Sequence, residues 1–395
     1  MSQASPDPVG DVSTKYPSTY LDHASGQPLH PAAREVLMQA LDRGYADPRR
    51  LHQPAREARL MLDNARAVVA ECLAVRPDEV VFTPSGTHAV HLGVLGLLSA
   101  RARQGDLLLT SAVEHSAVLR AGDWHRDRGG RAETLPVDRH GRVDAPGVTA
   151  VVADRLPAVL ALQSANPEVG ACQPVAEVAS GITDVPLFVD ACASTGRLPL
   201  PHGWSAAALS AHKWGGPAGV GVLLVRKGAR WRNPFPGDDR ADDRSTGFEN
   251  VPAALAAAAA LRASLDEHAG PTGLTATHTA LTESLAAAVR AIPDTEVFLA
   301  PGARLPHVLA FSCLYLDGEA LVTELSRLGF SVASGSACTA STLEPSHVLA
   351  AMGALTHGNV RVSLGRDTDP AEVQRLADAL PSVVERLRDR SGAPR

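Results

Sequence analysis

The sequence predicts an α/β protein: a large domain built on a mainly parallel, doubly wound sheet, and a smaller α/β domain. Three observations predict it. Short, continuous apolar runs recur along the first part of the chain, as expected of strands buried on both faces. Stretches with helical spacing of apolar residues separate them, which is what crossovers between parallel strands require. A second α/β unit follows from about Thr272.

In chain order, residues 1–18 read as a polar, Pro/Ser-containing flexible tail. From about Pro54 to Val75, Met61, Ala65, Val68, Val69, Cys72 and Leu73 fall on one helical face. Strand-like runs follow at Glu79–Thr83, Asp106–Ser111, Ala158–Ser164, Pro186–Ala191, Ala208–Ala211 and Gly219–Arg226. The polar stretch Gly237–Arg244 reads as an exposed loop. Val251–Ser264 is rich in alanine, the strongest helix former, and reads as a helix. Further strand-like runs lie at Val308–Tyr315 and Phe330–Ala333, and a closing helix at Pro370–Leu387. The expected domains are 27–268 for the large one, and 19–26 with 270–390 for the small one. In parallel sheets of this kind ligands sit outside the C-terminal strand ends, so the residues after each run carry the functional reading.

The 395 residues are 45% hydrophobic and 20% charged, the balance of an ordinary globular protein. A net charge of −6 gives no electrostatic reason to expect nucleic acid or an acidic membrane as partner. No apolar run approaches the roughly 20 residues that span a bilayer. The N-terminal residues lack a basic-then-apolar leader pattern, so a cytoplasmic location is expected. Five scattered cysteines (Cys72, Cys172, Cys192, Cys313 and Cys338) contain no C-x-x-C and suggest neither a disulfide framework nor a metal site. Basic charge is almost all arginine. Only Lys15, Lys213 and Lys227 could form an imine.

Four strand ends converge on one kind of ligand. Thr83-Pro-Ser-Gly-Thr-His88 turns small residues into a helix, where free N–H groups around Gly86, Thr87 and His88, with the Thr87 hydroxyl, suit a phosphate. A capped helix start without a ligand reads the same way. Asp190 closes the fourth run, and a buried carboxylate there needs a partner such as a protonated pyridine nitrogen; a helix cap is the alternative. Ser210-Ala-His-Lys213 follows the fifth run. Ser210 and His212 alternate to one side for phosphate contacts, while Lys213 is placed to make the imine. His115, after the second run, is placed to stack on a ring and move protons.

These clusters in this order resemble the class V aminotransferase group of the fold-type I pyridoxal-phosphate enzymes, from Tyr20-Leu-Asp22 to about Asp367. Ser334-Gly-Ser-Ala-Cys-Thr339, followed by Leu343-Glu-Pro-Ser-His347, is similar to the persulfide loop of the cysteine desulfurases, the kind serving iron–sulfur assembly and tRNA thiolation. A cysteine among Gly, Ser and Ala has no packing reason to be there, and a small-residue loop suits a nucleophile that collects and delivers sulfur.

The resemblance implies pyridoxal 5'-phosphate as cofactor and a homodimer. It implies L-cysteine as substrate, converted to L-alanine, with a protein as sulfur acceptor. Its implied roles are the covalent link and α-proton removal for Lys213, ring-nitrogen binding for Asp190 and proton transfer at sulfur for His115. The substrate carboxylate falls to Arg361, with Asn166 nearby, and persulfide formation to Cys338. A cysteine or selenocysteine lyase, or a non-catalytic docking scaffold, are the alternatives. The chain departs from the family pattern at four places. Ala193 replaces a Gln that binds the cofactor's phenolic oxygen, and Pro167 replaces an Asn. His88 stands at a Glu position, and Arg244-Ser-Thr-Gly-Phe248 replaces an Arg-Ser-Gly-Thr run.

Overall fold

Apolar runs without polar alternation can form strands only where both faces of the sheet are covered, and that is how this chain uses them. A computed structural model describes residues 19–237, 244, 247–334 and 345–392. The expected tail at 1–18, six residues of the expected 237–244 loop and the segment around Cys338 lie outside the described residues.

The described chain opens with β1 (Thr19–Tyr20), α1 (Pro31–Leu41) and α2 (Gln53–Leu73). The main sheet follows, with β2 (Val80–Thr83), α3 (Gly86–Arg101), β3 (Leu107–Ser111), α4 (Ser116–Arg126), β4 (Arg131–Leu135) and α5 (Ala145–Arg155). Then come β5 (Val159–Gln163), α6 (Val175–Gly181), β6 (Leu187–Asp190), β7 (Ala206–Ser210) and β8 (Gly221–Val225). The seven strands lie in the order β2-β8-β7-β6-β5-β3-β4. Pairings from β4 through β7 are parallel, and β8 is antiparallel to both its neighbours. The short link between β7 and β8 contains no helix to carry a crossover, so the chain turns back on itself. The Gly219–Arg226 run is therefore a strand, but the exception in a mainly parallel sheet.

Alternation assigns the faces. Leu160, Leu162, Leu187, Val189, Ala207 and Leu209 pack with residues of α1, α2 and α7. Val159, Ala161, Phe188, Ala206 and Ala208 pack under α3 and α4. Continued by two residues, the second series places Gln163, Asp190 and Ser210 at the strand ends on the α3 face. Helix α7 (Val251–His268) lies against α1 and α2. Its alanines, most of them fully buried, allow close helix approach.

After α7 come α8 (Leu274–Arg290), β9 (Thr295–Phe298), β10 (Val308–Cys313), α9 (Gly318–Arg327), β11 (Phe330–Ser331), α10 (His347–Ala351), β12 (Asn359–Ser363) and α11 (Pro370–Ser391). An antiparallel sheet of order β12-β10-β9 shares a core with α8, α9 and α11 around Leu285, Phe311, Leu325 and Leu376. β1 pairs in parallel with β11, and Asp22 bridges to Ser363 next to β12, so the first described residues join the last part of the chain. Among the described residues no helix is long and apolar enough to cross a membrane.

Candidate active site

The cleft forms where α3 begins over the ends of β5, β6 and β7. Ser85 caps α3, its Oγ accepting from the His88 main-chain N–H at 3.0 Å, and Thr83 Oγ1 donates to Ser85 O at 2.9 Å. A Cβ at Gly86 would lie 2.6 Å from Ser210 Cβ and 3.1 Å from Cys192 Sγ. Only glycine lets the helix start approach the end of β7 this closely. The resulting cleft, about 130 Å³, is lined by Gly86, Thr87, His115, Gln163, Asp190 and Lys213, with Ser210 and His212 beside them.

Of the three lysines, Lys15 lies outside the described residues and Lys227 is exposed on the surface beside Asp78. Lys213 lines the cleft. Its Nζ donates to Ala24 O at 2.5 Å and Ser25 O at 3.1 Å. β7 ends at Ser210, and residues 211–213 make a tight 3₁₀ turn, so the expected strand alternation does not extend to His212. Even so, the turn brings His212 Nδ1 to 3.0 Å from Ser210 Oγ. Burial, reinforced by the Lys213 charge, pushes the His212 pKa down to about 4, so this imidazole is neutral.

Asp190 is buried at the end of β6, Oδ1 accepting from the Cys192 main-chain N–H at 3.0 Å. Among the described residues it makes no ion pair. His115 caps α4 through Nδ1, which accepts from the Ala117 N–H at 3.1 Å. That bond leaves the proton of the neutral ring on Nε2.

Arg361, on β12, reaches this region from the second sheet. Its Nη2 donates to Asp22 Oδ1 and Ser25 Oγ, both at 2.7 Å, and its Nη1 to Pro167 O at 3.2 Å. Ser25 thus contacts both Lys213 and Arg361. Arg361 Nε is buried and lacks an acceptor among the described residues.

Two expected site residues are engaged elsewhere. The His88 ring stacks on Phe235, with centroids 6.2 Å apart, and its main-chain N–H is taken by Ser85. Asn166 spends its side chain on the backbone: Nδ2 donates to Val113 O, and Oδ1 accepts from the N–H groups of Glu168 and Val169. Ala165 and Pro167 line the cleft instead. Near Ala193, the buried Ser194 hydroxyl pairs with Ser164 Oγ at 2.6 Å. Cys338 lies outside the described residues.

Sequence reasoning missed Gln163, Asp22, and the main-chain oxygens of Ala24 and Ser25. An amide at the end of an apolar strand run was the available signal for Gln163. Nothing local marks a carbonyl as a lysine acceptor.

The polar features suit a cationic ring with an anionic tail. The buried Asp190 carboxylate faces the cleft without an ion pair among the described residues, and the start of α3 at Gly86 and Thr87 lines the same cleft, where helix N–H groups suit a phosphate. A nucleophilic lysine stands beside both. Such a site at the C-terminal edge of this sheet is that of a pyridoxal 5'-phosphate-dependent enzyme.

The aminotransferase class-V profile matches residues 19–376. An IscS-like cysteine desulfurase of Mycobacterium tuberculosis is 36% identical, covering 93% of this chain and 97% of that protein. A cysteine desulfurase IscS of Dictyoglomus turgidum is 31% identical, covering 93% and 95%. A solved NifS-like protein superposes with a TM-score of 0.84 at 25% identity, covering 94% of this chain and all of that one. The chain belongs to the aminotransferase class-V family, in its cysteine desulfurase branch.

Beneath the lysine turn lies a group of buried bases. Arg197 Nη1 donates to Lys213 O at 2.8 Å, and His23, His268, His278 and His307 surround that guanidinium. Burial is the largest cause lowering the pKa of all four and the Arg197 charge adds to it, after that of His268 in the case of His278, whose pKa falls to about 4. Because these folded-state values lie below the unfolded one, the unfolded chain binds more protons once pH falls below about 6.5. Stability is fully present above that pH and is lost on going down toward 4. Each such histidine costs up to about 1.4 kcal/mol per pH unit in that window. Urea midpoints between pH 7.5 and 5 are expected to fall steeply, and His278→Asn is expected to flatten the slope. An unchanged midpoint at pH 5 would contradict this.

Proposed function

We propose that the protein converts L-cysteine to L-alanine and passes the sulfur through a persulfide on Cys338 to an acceptor protein. The observation that carries this reading is the placement of Lys213, alone of the two described lysines, in a cleft with buried Asp190 and with His115. The cysteine desulfurase relatives support the choice of substrate.

Bound pyridoxal 5'-phosphate would supply an electron sink for the electrons left when the amino acid loses its α-proton. Gly86, Thr87, Ser210 and His212 would hold the phosphate end, and Asp190 would face the ring nitrogen. Lys213 would make the covalent attachment and supply the base for the α-proton. Arg361 binds the substrate carboxylate, with Nε–H as its unused donor. Asn166 acts indirectly, fixing the 166–169 turn against which Arg361 rests. The Cys338 thiolate attacks the substrate sulfur: an S–S bond forms, the C–S bond breaks, and the β-carbon is protonated to give alanine. His115 Nε2 moves the proton at sulfur.

The other cysteines are poor candidates for that attack. Burial raises the pKa of the Cys172 and Cys313 thiols to about 11 and also raises that of Cys72. Burial and the Asp190 charge push that of Cys192 well up. All four therefore stay protonated near neutrality.

A cytoplasmic homodimer completes the reading. Exposed Met38, Leu41, Tyr45, Leu51 and Leu60 around α1 and α2 give that face apolar surface to bury. The division into a 27–268 domain and a 19–26 plus 270–390 domain is supported by the separate cores of the two sheets.

The test is alanine release from L-cysteine by the purified protein with pyridoxal 5'-phosphate and a thiol, beside Cys338→Ala. The wild type is expected to release alanine over many turnovers and the variant less than about 1% as much, the scale of loss when a catalytic nucleophile is removed. Equal rates, or no alanine from either, would overturn the reading.

A further inference from the structure

In the cleft wall, where the adjacent strands β3 and β5 end, lies a buried polar cluster. Ser111 and Glu114 are completely buried and Gln163 is 1% exposed. Glu114 Oε1 accepts from Ser111 Oγ at 2.6 Å and from the Gln163 main-chain N–H at 2.9 Å. Gln163 Nε2 donates to Val113 O at 2.6 Å. Each side chain then has one oxygen left over. Glu114 Oε2 and Gln163 Oε1 are both buried, and neither has a donor among the described residues.

Two buried acceptors in one cluster cannot satisfy each other, and leaving either unpaired is destabilising. A single proton on Glu114 Oε2 changes this count, because it turns one of the acceptors into a donor. Strand register adds the functional context: Gln163 on β5 is the lateral partner of Asp190 on β6, and both line the cleft.

We propose that Glu114 is carried as the neutral carboxylic acid, its proton on Oε2 directed to Gln163 Oε1, and that it acts as a positioning residue for the reaction. In this state Gln163 is held at both ends of its amide, so the wall beside Ala193 is rigid. No second carboxylate charge then lies across the strand pair from Asp190. An ionised Glu114 would set a second negative charge in the field of Asp190 and alter the grip on a cationic ring. Asp190 is the charged group facing this carboxyl, and from α10 His347 Nε2 contacts its main-chain oxygen at 3.0 Å. Burial, and secondarily the Asp190 charge, raises the Glu114 pKa to about 8 against the pull of its two donors. The neutral form therefore prevails at pH 7 and gives way above about 8. Its consequence for turnover rests on the desulfurase reading; the protonation state itself does not.

The experiment begins with cofactor-free protein. The infrared difference between wild type and Glu114→Gln at pH 7 is expected to show loss of a protonated-carboxyl stretch that shifts in D₂O. Loss of carboxylate bands instead would overturn the proposal. Should the variant fail to fold, wild type labelled with ¹³C at glutamate Cδ serves. At least one carboxyl carbon is expected to titrate above pH 7, and none doing so would overturn it. In the holoenzyme, the alkaline limb of the rate profile is expected to move up by at least one pH unit in Glu114→Gln. An unmoved limb would remove the positioning role. Because the spectroscopic arms need neither cofactor nor cysteine, they stand or fall apart from the desulfurase reading.

Discussion

Lys213→Ala is expected to lower alanine release from L-cysteine by at least about 10³-fold, since it removes both the covalent attachment and a proton-transfer group worth about 10²–10⁴ by itself. Lys227 is on the surface and cannot substitute. The Lys213 ammonium rests against Ala24 O and Ser25 O, an arrangement that keeps the side chain extended into the cleft. Lys213→Arg is expected to be equally inactive although it keeps the charge, because a guanidinium does not give up its proton near neutrality. Both variants are expected to lose the bound chromophore on gel filtration while retaining wild-type thermal unfolding within a few degrees. A variant that keeps its chromophore and a tenth of the wild-type rate would exclude Lys213 from the chemistry.

Asp190→Asn carries the second-largest expected effect. The substitution preserves shape and leaves an oxygen to accept from the Cys192 N–H, but it removes the negative charge. Removing one partner from a buried charge pair costs about 3–5 kcal/mol, equivalent to about 10²- to 5 × 10³-fold in rate if the charge is needed in the transition state. The loss is expected in kcat, with KM for cysteine changed little, because Arg361 holds the substrate from another sheet. An unchanged kcat would assign Asp190 to holding the turn after β6 through the Cys192 N–H. The same variant is expected to lower the Cys192 pKa, since the carboxylate that helps push it up is gone.

The sheet was readable because its strands are buried on both faces. Leu107–Ser111, Val159–Gln163 and Leu187–Asp190 are almost pure apolar runs, and their ends follow directly. β4 escaped notice because Arg-Ala-Glu-Thr-Leu is an edge strand with solvent along most of its length. β12 escaped because Arg361, a charged residue, stands at its centre and is tolerated there only through Asp22 and Ser25. At the site, Lys213, Asp190 and His115, which the fold gathers around one cleft, stand out in the sequence as polar residues just past apolar runs. The stacking of His88 on Phe235 and the backbone bonds of Asn166 were not readable, because a sequence shows which contacts a side chain can make but not which it has already made. Glu114 gave no signal, since nothing in its sequence neighbours says that its carboxyl is sealed from water.

The parallel pairing of β1 with β11 bears on how the enzyme matures during synthesis. The carbonyls that seat Lys213 come from Ala24 and Ser25; the Ala24 N–H is held by Ser363 Oγ, and Ser25 by Arg361, 339 positions after Asp22. A ribosome that has finished the main sheet has therefore still to deliver β11 and β12 before the lysine can be seated. Domains fold in the order they emerge, and contacts of such long sequence separation form last. The nascent chain thus carries its first-made active-site segment unanchored until almost the whole protein exists, and truncated products are left without a seated lysine.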